Sequence, residues 1–306
     1  MQTVGRIGSL LLSPPPFLYD PSAMHSSAKL LVALLLAWSC SACGRAKAPD
    51  APGVRVVSLA PSLTEIVCAV GASDLLVGRT SACDYPPDVV TNVTVIGEFG
   101  KPSLERLLAQ SPTLVLSIDL ADETVGKKIE TLGLHRERIR CRSLDDIPSA
   151  VEKVGVLLDR SARASELAAR IKKDVDTLRA EAGRLESRPT VYIETWHDPP
   201  WTAGKNTFLS ELVWLAGGRN IADEIDKEHF QASAEWVLSK NPDIILCLYM
   251  SIEGSAKDVV LNRPGWKDVA AVRNGKVFDG FNNDLLLRPG PRVVEGIREL
   301  KERISQ

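Results

Sequence analysis

Residues 103–116, SLERLLAQSPTLVL, return in altered form at residues 233–246 as SAEWVLSKNPDIIL. Both stretches fit S-x-E-x-[LV]-L-x-x-x-P-x-[LI]-[VI]-L, in which a serine can cap a helix and a proline ends it before an apolar strand. A helix-and-strand unit that occurs twice indicates two related halves. Glu105 and Glu235 hold equivalent places in the first helical turns, where we expect them to be exposed. The helix dipole alone also favours carboxylates there.

Apolar strands and helices alternate around both copies of the repeat. Ser62-Leu63-Thr64-Glu65 has the pattern of a capping box and predicts a helix that ends at Gly71. Such alternation favours mainly parallel sheets with helices on both faces. Strands are predicted at 55–59, 75–78, 93–96, 113–118, 190–195 and 243–248, and helices from Ser103, from Ala121, at 208–216 and from Pro291.

A long amphipathic segment lies between the two halves. Residues 162–186 carry apolar side chains at helical spacing and no proline. A helix of this length spans about 36 Å, enough to cross between two lobes, although it could also lie on the surface of a single domain. We therefore predict an α/β protein with lobes at 54–160 and 188–306 and a bridging helix at 161–187. A chain of 306 residues is long enough for two cores.

The first 43 residues have the layout of a secretory signal. The apolar stretch 30–37 is too short to span a bilayer, follows Lys29 and leads into small residues. A start at Met24 would give a compact signal and leave residues 1–23 as an upstream extension.

The signal ends in Ser41-Ala42-Cys43, which is similar to a bacterial lipobox. We predict lipidation at Cys43, with simple secretion as the alternative, because Cys40 stands where an aliphatic residue is usual. Residues 44–53 then form a tether. The predicted location is the periplasm or the outer face of the cell membrane.

Export places the remaining cysteines in an oxidising compartment. Cys68 and Cys247 lie in apolar segments, where a buried thiol packs as a small hydrophobic side chain. Cys83 and Cys141, near predicted strand or loop ends, are the one pair considered for a disulfide. These four cysteines lack CxxC spacing, so no zinc site is predicted.

Composition and motifs argue against several classes of function. A net charge of -2 without long basic runs disfavours nucleic acid as a partner. The chain has no GxGxxG after its first strand, and no GxxxxGK[ST], HExxH or GxSxG. His135, His197 and His229 are the histidines that follow the signal. We predict that the protein is not an enzyme and carries no cofactor.

Six segments together resemble the helical-backbone (class III) periplasmic binding proteins of ABC importers, and the cobalamin-binding members most of all. The resemblance covers nearly all of the chain from Arg55 onward. It implies two Rossmann-like lobes bridged by one long helix, with a ligand held between them. The segments are RVVSLAPSLTEI from Arg55, CDYPP from Cys83, KPSLERL from Lys101, PPWTAGKNTFLSELVWLAGGRNI from Pro199, SAEWVLSKNPDIIL from Ser233 and DLLLRPGPRVVEGI from Asp284.

The resemblance also implies roles for particular residues. Glu105 and Glu235 match lobe-tip glutamates that dock onto arginines of an ABC permease dimer. Ligand-contacting residues implied by the resemblance, or suggested by aromatic side chains beside its motifs, are Pro61, Phe99, Trp196, Trp201, Phe230, Asp284 and Arg288. Phe99 stands where the cobalamin binders have tryptophan, and Ile118 replaces an aromatic residue.

The implied ligand is cobalamin or a related corrinoid, bound by a monomer. Heme and a ferric siderophore remain alternatives, because His197 or Tyr85 could ligate a metal. Two further classes also stay open: a tetrapyrrole-modifying enzyme and a lipoprotein sensor.

Overall fold

The fold comes from a computed structural model that describes residues 53–118, 123–249 and 253–306. The predicted signal at 1–43, its Cys43 and most of the tether at 44–53 lie outside these ranges. Within them, none of the helices is long and apolar enough to cross a membrane.

The first lobe is built on a six-stranded sheet with the order β4-β3-β2-β1-β5-β6. All neighbouring strands are parallel except β4, which runs antiparallel to β3. Strand β1 is central and buried along its whole length, as predicted for this segment. The strands are β1 (Val56–Ser58), β2 (Leu76–Thr80), β3 (Thr94–Glu98), β4 (Lys101–Pro102), β5 (Leu114–Ile118) and β6 (Arg136–Ile139).

Helices connect these strands across both faces of the sheet. They are α1 (Pro61–Ala69), α2 (Pro87–Val90), α3 (Leu104–Ala109), α4 (Thr124–Thr131) and α5 (Asp146–Leu157).

The predicted capping box at residues 62–65 is wrong. Pro61 occupies the first helical position, so the helix starts before Ser62, and Ala60 precedes it without a side-chain cap. Thr64 instead donates a hydrogen bond to Ser58 Oγ at 2.8 Å. Glu65 is buried and forms an ion pair far along the chain.

The long helix α6 (Ser161–Gly183) links the two lobes and has 23 residues. At 1.5 Å per residue it spans about 34 Å. Its buried face belongs to a hydrophobic cluster that also contains Val56 of the first sheet and Val191 of the second. The predicted long helix is confirmed, and it ends four residues before the predicted limit at 187.

The second lobe has a sheet with the order β10-β8-β7-β11-β12, and β9 pairs with β7. Strands β8 and β10 are antiparallel to their neighbours, while the other pairs are parallel. The strands are β7 (Thr190–His197), β8 (Pro200–Ala203), β9 (Arg219–Asn220), β10 (His229–Gln231), β11 (Ile244–Cys247) and β12 (Val277–Phe278). The helices are α7 (Phe208–Leu215), α8 (Ala234–Lys240), α9 (Ala256–Leu261), α10 (Ala270–Arg273), α11 (Asn283–Leu287) and α12 (Val293–Ile304).

Both copies of the sequence repeat fold in the same way. Ser103 accepts a hydrogen bond from the backbone N–H of Arg106, and Ser233 accepts one from Trp236. Each capped helix leads into a strand of its lobe, α3 into β5 and α8 into β11. The predicted α/β class, with two mainly parallel sheets, is confirmed.

Candidate functional site

The carboxyl ends of the parallel strands in the first lobe meet at one sheet edge. The loop after β1 leads to Pro61, the loop after β2 carries Asp84 and Tyr85, and Phe99 follows β3. Ligand sites of open α/β sheets lie at such edges. Pro61 is buried as the first residue of α1, whereas Phe99 is exposed.

This edge of the first lobe contacts residues 288–292 of the second lobe. Arg288 forms two hydrogen bonds with Asp84, at 2.6 and 3.2 Å. Arg292 forms two with Glu65, both at 2.8 Å, and its guanidinium lies 3.6 Å from the centre of the Tyr85 ring. These contacts bring the predicted Arg288 to the boundary between the lobes.

Asp284 and Arg288, predicted as a polar pair, are indeed paired. Their side chains form an ion pair of 2.7 Å between positions i and i+4. Arg288 therefore holds carboxylates from both lobes. Burial acts to lower the pKa of Arg288, but its bonds to Asp84 and the charges of both aspartates raise it overall.

An apolar cavity of about 320 Å³ lies in the second lobe near this polar pair, although neither Asp284 nor Arg288 lines it. Leu287 and Pro289, the chain neighbours of Arg288, form part of its wall. The rest of the wall consists of Thr195, Thr207, Phe208, Leu209, His229, Leu248 and Leu286. A mostly apolar wall with a few polar groups at its edge is typical of small-molecule sites.

His229 and Phe230 point to opposite sides of β10, because successive side chains of a strand alternate. His229 lines the cavity. Phe230 packs edge-to-face on Trp236, with ring centres 5.5 Å apart, against the core of the second lobe. The cavity is thus lined by His229 and not by Phe230, whose contact with a ligand stays a prediction.

Trp196 and Trp201 lie directly opposite each other on the β7–β8 hairpin. Each is 39% exposed, and Trp196 Nε1 donates a hydrogen bond to the carbonyl of Asp198. Cross-strand partners share one face of a sheet, so the two exposed side chains lie on the same face. The Trp196 ring contacts the ring of His197, with centres 5.1 Å apart. Neither tryptophan lines the 320 Å³ cavity.

A buried polar cluster supports the base of this hairpin. Arg263 binds both carboxylate oxygens of Glu194, at 2.7 and 2.9 Å, and Tyr249 donates its hydroxyl hydrogen to the same carboxylate. Burial, and then the charge of Glu194, raise the pKa of Tyr249. The His197 ring lies edge-on to Tyr249, and its Nδ1 is buried with no hydrogen-bond partner among the described residues.

The four cysteines of the described ranges are free. The pairing considered for Cys83 and Cys141 is therefore wrong. Cys141 Sγ donates to the carbonyl of Pro289 at 3.0 Å, while Cys83 Sγ lies 3.2 Å from Thr80 Oγ1. Burial raises the pKa of the Cys141 thiol to about 12, which keeps it protonated and unreactive.

No group of three or more His, Cys, Asp or Glu side chains that could hold a metal ion occurs in the described part of the chain.

Glu105 and Glu235 are both exposed in the first turns of α3 and α8. The backbone N–H of Glu235 and the Ser233 hydroxyl lower the pKa of the Glu235 carboxyl, so it is charged at neutral pH.

The lowered pKa of Asp84 leads to a prediction about how stability depends on pH. Hydrogen bonding from Arg288 holds this pKa below its ordinary value, although partial burial acts in the opposite sense. A lowered pKa stabilises the fold above the unfolded value of about 3.9, and this contribution is lost as the pH falls. Asp84→Asn should therefore destabilise the protein at pH 7, and the difference from wild type should shrink below about pH 4. Urea unfolding between pH 7 and pH 3.5 tests this, and a pH-independent difference would contradict it.

Comparisons with known proteins agree with this architecture. A family model described as "Periplasmic binding protein" matches residues 56–282. The uncharacterized ABC transporter substrate-binding lipoprotein YvrC of Bacillus subtilis (strain 168) is 29% identical over 257 residues, covering 82% of this chain and 79% of YvrC. The vitamin B12-binding protein of Vibrio parahaemolyticus serotype O3:K6 is 27% identical over 253 residues, covering 82% of this chain and 89% of that protein.

A solved structure is similar over the same region. The periplasmic heme-binding protein RhuT from Roseiflexus sp. RS-1, in its apo form, gives a TM-score of 0.73 at 27% identity. The match covers 82% of this chain and 98% of RhuT.

Proposed function

The chain belongs to the periplasmic binding protein family, and on that basis we propose that it captures cobalamin or a related corrinoid outside the cytoplasm for an ABC importer. The observation that carries the proposal is the Asp284–Arg288 pair beside the apolar cavity of the second lobe. A corrin has broad apolar faces and a rim of amide groups. An apolar wall next to fixed donors and acceptors suits such a ligand.

Other elements of the site fit a broad macrocycle. The exposed Trp196–Trp201 pair and Phe99 offer aromatic surface near the sheet edges, where a flat ligand can stack. The cavity itself, about 320 Å³, is at the lower end for small-molecule pockets, so it would take an edge of the ligand and not the whole. The similarity to a vitamin B12-binding protein supports this choice.

Heme is the second candidate. The similarity to a heme-binding structure supports it, and so do exposed Tyr85 and cavity-lining His229, because phenolate and imidazole both ligate heme iron. Calorimetric titration with cobalamin, cobinamide and hemin separates the candidates. A Soret band in the complex would identify heme, while corrin absorption bands would identify a corrinoid. Binding of none of the three would overturn the proposal.

Removal of the polar pair tests the site directly. Asp284→Ala with Arg288→Ala should weaken ligand binding by about tenfold or more, the loss of about 1.4 kcal/mol of polar contacts. Calorimetry measures the change. Asp268→Ala with Arg273→Ala is the matched control, because it removes the same residue types at exposed positions of the same lobe. Equal affinity in the wild type and the first variant would contradict the assignment.

Delivery to the permease is the second part of the proposal. Glu105 and Glu235 present one carboxylate from each lobe, and arginines on the membrane subunits would bind them. A lipid on Cys43 would hold the protein at the membrane and raise its local concentration near the permease.

A further inference from the structure

Arg288 is shared between carboxylates of the two lobes. Its two terminal nitrogens reach Asp84 of the first lobe at 2.6 and 3.2 Å, and one of them also reaches Asp284 at 2.7 Å. These contacts engage three of the five N–H donors of the guanidinium, all on its two terminal nitrogens. A ligand oxygen that binds the edge formed by these two nitrogens must displace one of the carboxylates.

The two aspartates differ in how easily they can leave. Asp284 lies on the same short segment as Arg288 and moves with it. Asp84 belongs to the other lobe, and its side chain is 53% exposed, so water can replace the arginine at little cost. Asp84 is therefore the carboxylate that a ligand would displace.

The neighbouring ion pair, Glu65–Arg292, cannot open to admit a ligand in the same way. Glu65, the partner of Arg292, is only 4% exposed, and its separation would leave a buried charge without a partner. The two lobes are therefore joined by a buried ion pair that stays closed, Glu65–Arg292, and by an exposed ion pair that can open, Asp84–Arg288.

We propose that Asp84 is an internal competitor that occupies Arg288 until a ligand oxygen replaces it, and so sets the affinity of the site. This inference rests on the proposed function, because it assumes that Arg288 contacts the ligand. The location supports it, since Leu287 and Pro289 on either side of Arg288 line the cavity. Ligand binding must release Asp84, so the apparent association constant equals the intrinsic one multiplied by the fraction of molecules in which Arg288 is free.

The test is calorimetric titration of Asp84→Asn with cyanocobalamin and hemin. Asparagine has nearly the same shape but no charge, so Arg288 is freed and the probe that wild type binds should bind about fivefold more tightly. The gain should disappear in an Arg288→Ala background. Asp88→Asn, an exposed aspartate four residues away, is the matched control and should bind as wild type does. Equal or weaker binding by Asp84→Asn would overturn the inference and leave the proposed function standing.

If neither probe binds any variant, a second measurement distinguishes failure of the proposed function from failure of the inference about Asp84. The proposed function then fails, and the contact is judged in the ligand-free protein by urea unfolding of Asp84→Asn, Arg288→Gln and the double variant. The unfolding equilibrium constant of the double variant should differ by at least about threefold from the value obtained by multiplying the effects of the two single variants. Additive effects would overturn the inference.

Discussion

Replacing Arg292 with methionine should lower the free energy of unfolding by about 3–5 kcal/mol, because it leaves the buried Glu65 carboxylate without its partner. Both oxygens of Glu65 accept hydrogen bonds from Arg292, and the carboxylate is nearly inaccessible to water. Methionine keeps an apolar side chain over the Tyr85 ring, so the loss comes mainly from the charge. Urea unfolding at pH 7 measures it.

Two further variants show whether the unpaired charge is the cause. Glu65→Gln combined with Arg292→Met leaves no buried charge and should recover part of the lost stability. Arg298→Met changes an exposed arginine of α12, the helix that begins directly after Arg292, and should cost no more than about 0.5 kcal/mol. If Arg292→Met lowered the free energy of unfolding no more than Arg298→Met does, the Glu65–Arg292 ion pair would contribute little to stability.

This ion pair also shows where sequence patterns mislead. Ser62-Leu63-Thr64-Glu65 satisfies a local rule for a helix start, but Glu65 bonds to a residue 227 positions away. No local pattern contains that partner. The same holds for Asp84 and Arg288, which are 204 positions apart. Contacts between the lobes position these side chains, and the sequence predicted neither contact.

Strand register limits the prediction of the site in another way. Strand β10 has three residues, too few for an alternating pattern to reveal which side faces the cavity. A shift of one residue in a strand moves every side chain to the other face. The structure places His229 at the cavity, whereas the partly buried Phe230 packs against the core of the second lobe.

Longer patterns predict more because their signals are redundant. The buried positions of α6 recur over about five helical turns, and together they predict the helix that links the lobes. The repeat contains a capping serine, a helix and a strand in each lobe, so each copy supports the interpretation of the other. Neither feature depends on a single residue.

The repeat leads to the second large effect, on transport. Glu105→Ala with Glu235→Ala should reduce uptake of the ligand on the order of 100-fold, if each carboxylate forms a close charge pair worth about 1.5 kcal/mol with the permease. Ligand affinity of the purified double variant should not change, because both residues lie on exposed helix turns and outside the cavity wall. Uptake of labelled ligand by cells that carry the permease and ATPase measures the effect.

A matched double variant distinguishes docking from general charge effects. Glu152→Ala with Glu302→Ala also removes one exposed glutamate before and one after the long helix, and it should leave uptake unchanged. Single variants at Glu105 or Glu235 should each lose about tenfold, because each lobe would supply one of the two contacts. Normal uptake by the Glu105→Ala, Glu235→Ala protein would reject docking and leave helix stabilisation as the role of both carboxylates. Such stabilisation by an exposed carboxylate is small, so the double variant would remain folded in either case.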